Sequence, residues 1–107
     1  MAMTAINFNT SNYLKVARGY KRTTIRMGDK PHTIGLCVLM CDGQPTPDIA
    51  EITEVRKVRF GSLGLSDAIE HGYKSVRELQ DELEICYLRS IQATDVITIV
   101  RLELDGD

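Results

Sequence analysis

Ser75-Val76-Arg77-Glu78 opens the best-marked element of this chain, and it constrains what can surround it. The pattern is a capping box, in which the serine hydroxyl and the glutamate carboxylate satisfy each other's orphan amide groups. Val76, Leu79, Leu83 and Tyr87 then recur at helical spacing, so the helix carries an apolar stripe that needs cover. The segments around it read as strands. Val96–Leu104 alternates after it, with Val96, Thr98, Val100, Leu102 and Leu104 on one face. Before it, His32–Met40 reads as a buried strand and Asp48–Phe60 as a longer one. Strands therefore follow one another without a helix between each pair. That order argues against a doubly wound sheet and predicts an α+β fold with at least four strands and two or three short helices.

The remaining elements are shorter. Thr4–Phe8 is an expected opening strand, and Asn9, Thr10 and Ser11 offer cap side chains for a helix behind it. Tyr13, Val16, Ala17 and Tyr20 share one face of that helix, which Gly19 is suited to end. Thr23–Arg26 has the β-branched content of a strand entry. Gln44-Pro45-Thr46-Pro47 reads as a loop. In Asp48–Phe60 the alternation slips at Val55, which predicts either a bulge or a tight break between two strands. Ser66 is expected to cap a short helix, Asp67–His71, closed by Gly72.

A length of 107 residues predicts one domain over residues 1–107, large enough to bury a core without staples. No apolar run approaches the roughly 20 residues that cross a bilayer. The opening Met-Ala-Met-Thr-Ala-Ile lacks a basic segment followed by an apolar block, so a cytoplasmic, membrane-free protein is expected. Cys37, Cys41 and Cys86 are odd in number and lie among apolar neighbours, which predicts reduced, buried thiols. On one strand, Cys37 and Cys41 would stand roughly 13 Å apart, too far to share a zinc ion, so no metal site is expected. Net charge is −2 but uneven. Lys15, Arg18, Lys21, Arg22, Arg26 and Lys30 face a single acid, Asp29, in the first 32 residues, whereas residues 70–107 are acidic. A local basic cluster on a mildly acidic chain points to a focused anion site rather than a broad nucleic-acid surface.

Nucleotide-binding glycine motifs, a nucleophile elbow and H-E-x-x-H are all missing. The informative segment is Gly19-Tyr20-Lys21-Arg22-Thr23-Thr24-Ile25-Arg26, a G-x-K-x-x-x-x-R pattern. With the helix before it, Ile52-Thr53-Glu54-Val55, the Ala68…Gly72 turn, the Ser75-capped helix and Val96–Leu104, the chain resembles the ASCH domain family. The likeness is strongest to the short bacterial members that include N(4)-acetylcytidine amidohydrolases. This resemblance implies a small closed β-barrel related to the RNA-binding PUA fold, with peripheral helices, no cofactor, and RNA or a modified nucleoside as partner. For the amidohydrolase members it implies a lysine, a threonine and a glutamate as the active set. Lys21 and Thr24 match the first two, and His71, with Glu70 one residue earlier, stands where the acid is expected.

On a strand, Thr24 and Arg26 share parity and can line one cleft. Arg26 brings a planar fork suited to a phosphate, a carboxylate or a nucleobase edge. Lys21 brings a compact charge whose pKa falls on desolvation, and a neutral amine near the Thr24 hydroxyl can act as general base. Gly19, Tyr20, Lys21 and Arg26 are the expected binding residues, with Tyr20 as a stacking face. Lys21, Thr24, and Glu70 or His71 are the expected catalytic ones. Two functions follow, an RNA- or nucleoside-binding module and a metal-free amidohydrolase, beside a regulatory protein with a vestigial cleft. Oligomeric state is left open between a monomer and a weak dimer.

Overall fold

The computed structural model describes residues 4–29 and 31–104, so Lys30 of the basic cluster and the first three residues lie outside it. Its elements in chain order are β1 (Thr4–Phe8), α1 (Thr10–Ala17), β2 (Thr23–Met27), β3 (Gly35–Cys41), β4 (Gln44–Arg59), α2 (Leu65–Glu70), α3 (Val76–Tyr87) and β5 (Val96–Leu104). A 3-10 turn over Phe60–Ser62 leaves β4. The five strands form one sheet in the order β1-β3-β4-β5-β2. The β1–β3 pair is parallel and the other three pairs are antiparallel. Among the described residues no helix is long and apolar enough to cross a membrane.

The expected closed barrel is corrected here. The sheet curls into a half-barrel, and its edge strands, β1 and β2, do not pair. A side chain occupies the place of a ladder: Arg26 Nη2 donates to the Asn7 carbonyl across the seam at 2.9 Å.

Local chemistry accounts for most element ends. Asn9 caps α1, its side chain accepting from the Asn12 amide at 2.8 Å. Ser75 caps α3 by accepting from the Glu78 amide at 3.1 Å, while the Glu78 carboxylate accepts from Lys74 rather than from Ser75. Asp42 and Gly43, at φ 49° and 79°, make the two-residue turn between β3 and β4. For α2 the cap is Gly64, not Ser66; the Asp67 carboxylate accepts from the Gly64 amide at 2.8 Å.

Three further expectations are corrected. The strand expected over His32–Met40 begins at Gly35, whose φ of 131° sets off the irregular 31–34 stretch. Gln44-Pro45-Thr46-Pro47 is not a loop but the start of β4. The register slips between Val38 and Met40, leaving the extra residues of β4 out of the ladder. Thr46 Oγ1 there donates to the Leu39 carbonyl at 2.7 Å, a bond the prolines cannot make. A second slip, between Ile52 and Glu54, is the bulge that the broken alternation requires. Finally, Val100, Leu102 and Leu104 of β5 share one face as expected, but the opposite face is covered too, and Ile97 through Val100 are all buried. Val100 and Leu102 pack with Ile6, Phe8 and Val16, whereas Ile97 and Ile99 pack with Leu79 and Leu83 of α3. A central strand covered on both sides loses the alternation of a half-buried one.

Candidate functional site

The open seam makes a cavity of about 310 Å³. β1 supplies Asn7 and Phe8, β2 with its approach supplies Lys21, Thr24 and Arg26, and the end of α2 supplies His71. Tyr73 and, from α3, Glu82, Cys86 and Tyr87 close the other side. Four of the expected residues, Lys21, Thr24, Arg26 and His71, thus face a common hollow.

Lys21 reaches it because α1 stops early. The Gly19 and Tyr20 amides donate to Val16 and Lys15 at 3.1 and 2.9 Å, with Gly19 at φ 80°, and this turn sends the next side chain inward. Lys21 is 7% exposed, and its Nζ donates to Asn12 Oδ1 at 3.1 Å. Burial first, then the neighbouring Lys15, lowers its pKa to about 8, so the ammonium coexists with free amine near neutrality. Tyr20 takes the opposite direction. It lies beyond the helix, is 71% exposed and lines none of the three cavities described here. Gly19 lines a separate hollow of about 240 Å³, which Lys21 also borders.

Thr24 is buried on β2. Arg26 is half-buried, its guanidinium 5.4 Å from the centre of the Phe8 ring, and burial lowers its pKa. Its Nε is shut off from solvent with no partner among the described residues. His71 is buried, and its Nδ1 lies 2.8 Å from Thr23 Oγ1. The ring stacks on Tyr73 with centroids 5.9 Å apart. Burial first, then the charge of Lys21, pulls His71 down to about 3. It is therefore a neutral donor–acceptor at ordinary pH, not a cation.

Glu70 stands elsewhere. Its carboxylate pairs with Arg101 at 3.2 Å, its carbonyl accepts from the Arg22 amide, and it does not line the cavity. The carboxylate that does is Glu82, which sequence reasoning passed over. Glu82 follows Leu79 by three residues and precedes Cys86 by four, flanking the apolar stripe of α3, and that position is the only signal of it. Asn7 and Asn12 were passed over too, one on a strand and one in a first helical turn. Of the cysteines, only Cys37 is fully buried; Cys41 is half-buried and Cys86 is exposed at the cavity rim. The expectation of three buried thiols is corrected accordingly, because Cys86 falls on the open side of α3.

No family model and no curated protein matches the sequence. Solved structures do resemble this one. An ASCH domain from Lactobacillus crispatus matches at 20% identity and a TM-score of 0.74, covering 96% of this chain and 79% of that one. A DUF984 protein from Enterococcus faecalis matches at 17% identity and 0.61, covering 90% and 67%. A mutant ASCH protein from Zymomonas mobilis matches at 13% identity and 0.63, covering 92% and 67%. The chain has an ASCH-like fold.

Proposed function

We propose that the chain binds a nucleoside, free or within single-stranded RNA, in the cavity at the β1–β2 seam. The observation that carries this is the meeting of Lys21, Thr24, Arg26 and His71 around one hollow. Its size is at the lower end of small-molecule sites. Tyr73 and Tyr87 offer ring faces for a base, while asparagine amides, a neutral imidazole and the Arg26 fork offer donors and acceptors for its edge. The net charge of −2 favours one enclosed unit over a long phosphate track. Calorimetric titration of cytidine, N(4)-acetylcytidine, uridine and adenosine tests the reading. At least one should bind, and Lys21→Ala and Arg26→Gln should each weaken it tenfold or more. Absence of binding by all four, or affinity indifferent to both substitutions, would sink it.

One observation favours the amidohydrolase as a second reading: an amine held near pKa 8 lines the same cavity as a buried threonine. In that reaction Thr24 Oγ attacks the acyl carbonyl while Lys21 accepts the hydroxyl proton. The cytidine amine leaves with the proton that Lys21 took up, which returns Lys21 to its free amine. Water then cleaves the acyl-threonine, returning the acid and the free hydroxyl. Cytidine release from N(4)-acetylcytidine by the native protein, and none by Lys21→Ala, is the expected result; equal release by both rejects it.

A further inference from the structure

We infer that the site accepts two consecutive nucleotides of an RNA strand, the second lying in a neighbouring cavity and the phosphodiester between them held by Arg26. This rests on the nucleoside reading above and narrows it. The neighbouring cavity, of about 510 Å³, opens further along the same seam, and Asn7, Arg26 and Tyr87 line both hollows. A ligand that leaves the first cavity along the Arg26 guanidinium therefore enters the second.

The two cavities differ in chemistry. The first is ringed by Lys21, Thr24, His71 and Glu82, groups that read a base edge or a sugar hydroxyl. The second is bounded by Ile6, Met27, Pro31, His32 and Tyr87. These surfaces hold the face of a second base without reading its identity, since every base has a π-face to stack. Burial and the charges of Arg26 and Lys57 lower the pKa of His32, so it presents a neutral ring. The Tyr87 hydroxyl bridges the Ile25 carbonyl and the Met27 amide, both at 3.3 Å, which holds its ring rigid between the two hollows.

Arg26 is suited to what lies between two bases. Its Nη2 bond to the Asn7 carbonyl orients the fork, and the Phe8 ring supports it. Its Nε donor has no partner among the described residues. A buried donor left unpaired is costly and uncommon in native proteins, and a phosphate oxygen is the acceptor a guanidinium fork fits best. That donor is closed to solvent, so a phosphate engages it only by turning the guanidinium toward the seam.

The test compares cytidine, cytidine 3′-monophosphate and the dinucleoside monophosphate CpC by calorimetry on the native protein, Ala5→Trp and His32→Ala. Ala5 is exposed on β1 and lines only the second cavity, so a ring there fills it from outside the core. CpC should bind at least tenfold more tightly than cytidine, with cytidine 3′-monophosphate between them. Ala5→Trp should remove the advantage of CpC over the monophosphate, and His32→Ala should reduce it, while cytidine affinity stays unchanged in both. If cytidine binds but CpC binds no better, or its advantage persists in both variants, the second subsite is refuted and the single-nucleoside reading stands. If no nucleoside binds at all, both fall together.

Discussion

Thr23 Oγ1 lies 2.8 Å from Nδ1 of His71, joining β2 to the end of α2 in a buried contact 48 residues apart in sequence. The contact assigns Nδ1 to the protein and leaves Nε2 for the cavity that His71 lines. It also places an imidazole where protonation is strongly opposed, by burial first and by Lys21 next.

Stability should therefore fall in acid. His71 is held at about 3 in the fold, against 6.5 in the unfolded chain. Below 6.5 the unfolded chain takes up the proton that the folded one refuses, so the stabilisation is intact above 6.5 and declines from there toward pH 3. Urea midpoints should hold from pH 7.5 to about 6.5 and then drop toward pH 4.5, and His71→Gln should flatten that drop. An unchanged slope in that variant would place the acid sensitivity elsewhere.

Replacing Thr23 by valine keeps the shape and removes the hydroxyl, leaving His71 Nδ1 buried without its partner. The expected cost is about 1–3 kcal/mol in a denaturant melt, with most of it recovered by Thr23→Ser. A neutral Thr23→Val would mean that the imidazole finds another partner.

Lys21 carries the opposite bargain between function and stability. Its pKa of about 8 in the fold, against 10.5 outside it, means that the folded state is penalised wherever the amine is protonated. The penalty is full below about pH 8 and fades as pH rises toward 10.5. Lys21→Met, similar in length and without charge, should raise stability at pH 6.5 by about 1–3 kcal/mol. The gain should shrink by pH 10, and ligand binding should be lost. Melting curves at the two pH values check the sign; a destabilised variant at pH 6.5 would contradict it.

Much of this fold is legible in the sequence where the determinant is local. Ser75 caps its helix, Asn9 caps α1, and the broken alternation beyond Ile52 marks a real bulge. Pro45 and Pro47 misled because proline suggests a loop, yet Pro47 falls in the bulge, where no ladder donor is needed, and Pro45 pairs with Met40 at the start of the strand. Tyr20 misled because the helical stripe was extended past Gly19, where the turn reverses its direction. The cavity is harder to foresee for a different reason. β1 and β2 are opposite edges of one sheet, connected through β3, β4 and β5. Whether those edges meet or leave a gap depends on the curl of the whole sheet. Lys21 and Arg26 were found by their motif, but Glu82 and Asn7 enter the site only once the gap exists.

The acidic partner of Lys21 can be decided by comparing three carboxyl or imidazole positions. Glu82 lines the cavity, and its charge acts on Lys21, Tyr73 and Cys86. Glu70 faces Arg101 on another surface. Glu82→Gln should reduce nucleoside affinity, or cytidine release if the protein is a hydrolase, by tenfold or more. Glu70→Gln should change either by less than twofold and cost no more than about 1 kcal/mol, as expected for a half-exposed ion pair. His71→Gln should fall between them if the neutral ring serves only to bind. The reverse order, with Glu70 the sensitive position, would require the chain after α2 to turn toward the seam, and the site drawn here would then be the wrong one.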